Sequence, residues 1–159
     1  LSLDMGCGSG YYVAHWRKRG LPFAGYDANP FTIELSKLLL PKGDTPCGIA
    51  DLTDDLKVPN QFDLVVCKDV LPYIPKKWIR KAISNLALLS SHLIVLSWHV
   101  PEELSDIPCH HITEEMIVDE FRKIGFVVER YLTMQLHYTI KNENNECCVL
   151  IRNNMQINN

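Results

Sequence analysis

Short apolar runs alternate with amphipathic stretches along most of the chain. Leu1-Ser2-Leu3-Asp4 reads as the end of a strand, and Met5 to Gly10 as a glycine loop. Tyr11 to Arg19 reads as a helix that Gly20 stops. Phe23 to Asp27 is a second strand. Asn29-Pro30 then opens a helix, with Asn as cap and Pro in the first turn. Phe31, Leu35, Leu38 and Leu39 fall on one face of it, and Pro41 ends it. Cys47 to Asp51 is a short third strand. Phe62 to Cys67 is apolar except for Asp63, as a buried parallel strand should be. Lys76 to Ser91 carries Ile79, Ala82, Ile83 and Leu86 at helical spacing, and His92 to His99 reads as a fifth strand. Glu114 to Ile124 is a further helix, capped by Thr113 and followed by Gly125. Phe126 to about Ile140 and Cys147 to Arg152 are strand-like, joined by the polar turn Lys141 to Glu146. Two strands with no helix between them pair antiparallel, so the pattern predicts an α/β fold of β-α units closed by a hairpin.

Composition narrows the function. With 159 residues the chain fits one domain, expected to run from 1 to 153 and to leave 154–159 as a polar, frayed tail. The formal net charge of −3 argues against a dedicated nucleic-acid binder. The one dense basic cluster, Arg17-Lys18-Arg19, suits the last turn of a helix. No apolar run is long enough to span a membrane, and no signal peptide is expected from an opening at Leu1-Ser2-Leu3-Asp4. The chain opens in mid-strand without Met, which suggests one domain of a longer protein. Its six cysteines contain no C-x-x-C pair, so reduced thiols and a cytoplasmic location are expected.

Chemistry concentrates at the strand ends. In Asp4-Met5-Gly6-Cys7-Gly8-Ser9-Gly10, glycines at alternate positions allow a tight turn and let a ligand approach where a Cβ would collide. The helix that follows offers unpaired N–H groups. The dinucleotide fingerprint G-x-G-x-x-G is not met, because Tyr11 stands where it requires glycine. Asp27, at the end of the second strand, can accept both hydroxyls of a ribose, as in other doubly wound sheets. Asp51 can accept a hydrogen bond from an adenine amino group while Leu52 packs on the ring.

Together these segments resemble the class I methyltransferases that use S-adenosylmethionine. Asp4 to Gly10 is similar to their D-x-G-C-G-x-G motif, and Gly25-Tyr26-Asp27 to the acidic end of their second strand. Gly48 to Leu52 resembles their adenine segment, and Phe62 to Cys67 their F-D-x-V fourth strand. Asp69 to Pro75 looks like the loop that follows in the small-molecule branch. The resemblance implies a three-layer α/β/α sandwich with a seven-stranded, mostly parallel sheet in the order 3-2-1-4-5-7-6, strand 7 antiparallel. It implies S-adenosylmethionine as methyl donor, with S-adenosylhomocysteine as product. Asp4, Gly6, Cys7, Gly8, Gly10, Ala28 and Lys68 then join Asp27, Asp51 and Leu52 as expected cofactor-binding residues. The family's Pro-Gly-Gly turn before the fifth strand is replaced by Ser90-Ser91-His92, and its N-terminal covering helices are not expected within these 159 residues. Lys68-Asp69-Val70-Leu71 stands where amide and exocyclic-nitrogen methylating enzymes carry N/D-P-P-Y/F.

The expected acceptor is a small molecule, with a hydroxyl preferred. A hydroxyl acceptor benefits from a general base. His99 and Asp69, after the fifth and fourth strands, and His110 with His111, before the last helix, are the candidates. Trp98 and Tyr73 are expected to line the acceptor pocket. No metal is expected, because Cys109, His110, His111 and His99 lack a zinc-ligand spacing. Two other readings remain open: a non-catalytic domain that docks a partner, and a nicotinamide-dependent oxidoreductase.

Overall fold

The computed structural model describes residues 1–41, 44, 46–56, 61–99, 109, 112–130 and 146–153. Strand β1 (Ser2–Met5) is an interior strand of the sheet, with Leu3 and Met5 fully covered. Helix α1 (Tyr11–Arg17) leads to strand β2 (Phe23–Asp27), and helix α2 (Pro30–Leu39) to strand β3 (Cys47–Ile49). Strand β4 (Phe62–Lys68) runs through two 3₁₀ turns, Leu71–Tyr73 and Lys76–Trp78, into helix α3 (Ile79–Leu89). Strand β5 (Ser90–His99), helix α4 (Glu114–Lys123), strand β6 (Phe126–Arg130) and strand β7 (Glu146–Asn153) complete the described elements.

The sheet order is β3-β2-β1-β4-β5-β7-β6. Strands β1 to β5 pair in parallel, and β7 is antiparallel to both β5 and β6. This is the order that the resemblance implies. Val65 and Cys67 of β4 and Ile94, Leu96 and Trp98 of β5 share one buried cluster with Ile79, Ile83 and Leu86 of α3 and Ile117 and Phe121 of α4. Cys7, Val13, Phe23 and Ile33 form a separate cluster with the part-buried Leu64 and Val66, beside α1 and α2. Helices on both faces of one sheet make three layers.

Local chemistry sets the boundaries. Asn29 caps α2, its side chain accepting from Phe31 N at 2.9 Å, and Thr113 caps α4, accepting from Met116 N at 3.2 Å. Three expectations are corrected. Helix α3 ends at Leu89, because Ser90 is extended and its hydroxyl donates to Leu93 O at 3.0 Å, so Ser90 and Ser91 belong to β5. Helix α1 stops at Arg17, whose guanidinium makes a bidentate contact with Asp44 (3.0 and 2.9 Å) and donates to Phe23 O. Helix α2 docks through Ile33 and Ser36, with Leu40 just beyond it. Phe31, Leu35, Leu38 and Leu39 share a face that stays exposed. Small Ser36, whose hydroxyl donates to Ile33 O at 2.7 Å, lets α2 come close to the glycine loop, and a large residue there would hold the helix off.

Candidate active site

The carboxyl ends of β1, β2, β3 and β4 meet around a cleft of 490 Å³. Open α/β sheets bind ligands at this edge. A depression of 550 Å³ between α3 and α4 is lined by Lys76, Lys77, Arg80 and Lys123, away from the strand ends. Glu120 in it pairs with Arg80 and Lys123, which leaves an exposed ion-pair network rather than convergent chemistry.

The glycine loop is pinned from below. Gly6 N and Cys7 N both donate to Tyr26 O, at 2.6 and 3.1 Å, and Gly10 N donates to Cys7 O at 2.9 Å. Gly6 has φ +87°, and a Cβ added there would stand 2.1 Å from Val70 Cγ2. Gly8 has φ +54° and the opposite surroundings: among the described residues other than its chain neighbours, no atom lies within 4 Å of an added Cβ. One glycine is thus required by the protein's own packing, and the other borders open space.

Asp27 is held rigidly. Its Oδ2 accepts from Gly8 N at 2.8 Å and its Oδ1 from Asn29 N at 2.8 Å. A carboxylate has about four lone-pair sites, so both oxygens keep capacity for further donors. Asp27 and Ala28 line the cleft from β2, and Asp51, Leu52 and Thr53 line it after β3. Asp51 Oδ1 accepts from Thr53 N (2.7 Å) and Thr53 Oγ1 (2.8 Å), a turn that ends β3 before Ala50. Asp51 Oδ2 makes no hydrogen bond among the described residues. Sequence reasoning missed the residue that anchors this turn. Asn85, 2% exposed on α3, donates through Nδ2 to Leu52 O and Asp54 O, both at 2.8 Å.

Asp4 lies beneath the loop at 4% exposure rather than along the cleft. Burial, together with the nearby charge of Asp27, pushes its carboxyl up to about 6. Since the native value lies above the ordinary 3.8, the fold binds the proton more tightly than the unfolded chain. Stability is therefore lost as pH rises from about 4 to about 6. Asp4→Asn is expected to raise stability at pH 7 by up to about 3 kcal/mol and to flatten the pH dependence across that window. Urea unfolding at pH 4 and pH 7 measures it, and a variant with the wild-type pH dependence would refute the assignment.

Cys7, Gly8, Gly10 and Lys68 also stand back from the cleft lining, in the loop or behind it, while Gly6 lines it. Asp69 has φ +55°, the one positive value among the described non-glycine residues, and lines the cleft. Aspartate tolerates this left-handed geometry better than most residues. Asp69 N donates to Ser97 O at 2.8 Å, and Lys68 Nζ lies 2.6 Å from Asp69 Oδ2. Tyr73 and Trp78, each 43% exposed, line the same cleft; Trp78 had not been anticipated. Trp98 does not line it. It is 1% exposed within the core, and its Nε1 donates to Ile112 O at 3.1 Å. Alternation along β5 puts it on the inner face with Ile94 and Leu96. His99 ends β5 opposite Glu146. His110 and His111 lie outside the described residues.

Residues 3–87 match the family described as "Methyltransferase domain". Magnesium-protoporphyrin O-methyltransferase of Rhodobacter capsulatus is 29% identical over 98 residues, which are 60% of this chain and 43% of that protein. The chain thus spans less than half the length of this curated relative. Among solved structures, magnesium protoporphyrin IX methyltransferase of Synechocystis PCC 6803 with bound S-adenosylmethionine superimposes with a TM-score of 0.74 at 22% identity, covering 96% of this chain and 69% of that one. An S-adenosylmethionine-dependent methyltransferase of Mesorhizobium loti gives 0.76 at 15% identity, covering 95% and 89%. At these identities the superpositions speak for a common fold. The family match takes in more than half of the sequence, from the glycine loop through α3, and the chain belongs to the class I S-adenosylmethionine-dependent methyltransferases.

Proposed function

We propose that this chain transfers a methyl group from S-adenosylmethionine to an oxygen of a small-molecule acceptor, with a hydroxyl as the preferred group. The observation that carries the reading is the placement of Asp27 and Asp51 on adjacent strand ends of one cleft, beside a loop with open space at Gly8. When bound, S-adenosylmethionine supplies a sulfonium-activated methyl group. Asp27 would accept both ribose hydroxyls on the lone pairs its two amide partners leave. Asp51 Oδ2 would accept from the adenine amino group, with Asn85 fixing the turn. The curated relative is named an O-methyltransferase, which supports oxygen as the receiving atom.

Most of the rate then comes from holding the acceptor in line. A hydroxyl must also lose its proton, and Asp69 is the described carboxylate between the cofactor residues and Tyr73. We assign it as the base, with His99, His110 and His111 as the other candidates. A carboxylate acceptor needs no base.

Calorimetry with S-adenosylhomocysteine and with a nicotinamide dinucleotide, followed by transfer of labelled methyl to hydroxyl- and carboxyl-bearing acceptors, tests the reading. Selective binding of the former and methylation of a hydroxyl are expected. Asp69→Asn should lower turnover of that acceptor by roughly 10²–10⁴-fold with the cofactor Kd unchanged. Absence of cofactor binding would favour a partner-docking domain, and preference for the dinucleotide an oxidoreductase.

A further inference from the structure

Two cysteines far apart in sequence meet at the root of the glycine loop. Cys7 Sγ lies over Gly25, where an added Cβ would be 2.8 Å from the sulfur. Gly25 pairs with Cys47 in the parallel register of β2 and β3, so the two positions share one face of the sheet. Cys47 Sγ in turn stands 3.0 Å from a Cβ added at Gly10. Two missing side chains thus make room for two sulfurs, which lie together in the cluster of Val13, Phe23 and Ile33. The Cys7 thiol also donates to Gly8 O at 3.7 Å, which ties its sulfur to the next residue of the loop.

We propose that Cys7 and Cys47 form a reversible disulfide that, once closed, pulls the glycine loop out of its cofactor-binding shape. The bond is about 2.05 Å long with a narrow range of dihedral angles and Cα separations, and in the proposal the loop backbone adjusts to meet them. Strand β3 is tied into the sheet at this point, Gly25 N donating to Pro46 O at 2.8 Å. Cys7 sits in a loop, and its neighbour Gly8 makes the amide contact to Asp27. Movement of Cys7 therefore displaces Gly8 N from the carboxylate that the ribose needs.

The two thiols differ in access, for Cys47 is half-buried and Cys7 is buried, so Cys47 is the one an oxidant meets first. The neighbouring Cys7 side chain holds the Cys47 thiol below its usual range, and Ser36 and the Arg17 charge add to this against the opposing effect of burial. The Cys47 side chain, with burial, pushes the Cys7 thiol up. Cys47 is half-buried and within reach of solvent, whereas Cys67 is 1% exposed and its thiol is pushed up by burial. A low-molecular-weight disulfide is the oxidant. The Cys47 thiolate attacks one of its sulfurs and expels one thiolate, giving a mixed disulfide. Cys7 gives up its proton and attacks Cys47 Sγ, expelling the second. Two protein thiols are oxidised to one disulfide, and the reagent is reduced to two thiols.

The test treats the chain with oxidised glutathione and maps peptides without reduction, with hydrogen exchange at residues 6–10 as the loop readout and S-adenosylhomocysteine affinity as the functional one. A Cys7–Cys47 crosslink, faster exchange in the loop and affinity lower by about tenfold or more, all restored by dithiothreitol, are expected. Cys47→Ser should keep the reduced chain's affinity and show none of these changes. No such crosslink, or a crosslink with unaltered loop exchange, overturns the proposal. The affinity readout rests on the cofactor reading above, whereas crosslink and exchange do not. A reduced chain that fails to bind cofactor therefore overturns that reading alone.

Discussion

Asp27→Ala is expected to weaken binding of S-adenosylmethionine and S-adenosylhomocysteine by roughly 10²–10⁴-fold while the fold survives. Two charge-assisted hydrogen bonds to ribose hydroxyls, at about 1.5–3 kcal/mol each, give that range. The carboxylate also loses its contacts to Gly8 N and Asn29 N, both at 2.8 Å. Asp27 is only half-buried, so water can take up both amides, and this part of the cost falls on the order of the loop rather than on the core. An opposing effect acts through Asp4, whose carboxyl is pushed up by burial and, second, by the charge of Asp27. Removing that charge brings Asp4 back toward its ordinary value and recovers stability at neutral pH. The variant should therefore melt near the wild-type temperature and still fail to bind. Calorimetric titration beside a thermal scan reads both. An affinity equal to wild type would remove Asp27 from the site, and a collapsed melting temperature would make it a structural residue.

Much of this site was legible because its residues are close in sequence to the strand ends that carry them. The glycine loop, Asp27 and Asp51 each follow an apolar run directly, and a parallel α/β sheet brings such ends to one edge whatever the helices do. The strand order needed the family resemblance, since periodicity gives elements and not neighbours. The closing antiparallel pair followed from the residues, because no helical pattern separates β6 from β7. Helix α2 shows the limit of periodicity. Phe31, Leu35 and Leu38 are at helical spacing, yet the buried positions are Ile33 and Ser36. Spacing identifies a stripe but not which stripe meets the sheet, and here the close approach of Ser36 to Gly10 decided it.

Other features depended on contacts no local pattern records. Asn85 had a signal that could have been used: a polar residue on the buried face of an amphipathic helix needs partners, and it finds them in the turn after Asp51. The left-handed turn at Asp69 carries no glycine to announce it. Trp98 is expected at the pocket, but β5 alternates inward at Ile94, Leu96 and Trp98 and carries it into the core. Cys7 and Cys47 meet only through the register of β2 and β3.

Gly8→Val is expected to abolish cofactor binding in a chain that still folds. The backbone at Gly8 has φ +54°, which a β-branched residue resists, at a cost of about 1–3 kcal/mol. Among the described residues other than its chain neighbours, nothing lies within 4 Å of a Cβ placed there, so the new side chain meets none of them near its root. Gly6 is the contrast, for there an added Cβ runs into Val70 at 2.1 Å and the loop itself must move. The loss at Gly8 thus comes from the space the valine fills and from displacement of the amide that Asp27 holds. Gly8→Asn separates the two causes, because asparagine accepts the left-handed conformation yet still puts a side chain into the open space. If the space belongs to the ligand, both variants lose binding, the asparagine variant with the smaller drop in melting temperature. If the backbone alone matters, the asparagine variant binds as wild type does. A folded Gly8→Val chain with undiminished affinity would show that the opening beside the loop holds only solvent, and that the ligand sits elsewhere along the strand ends.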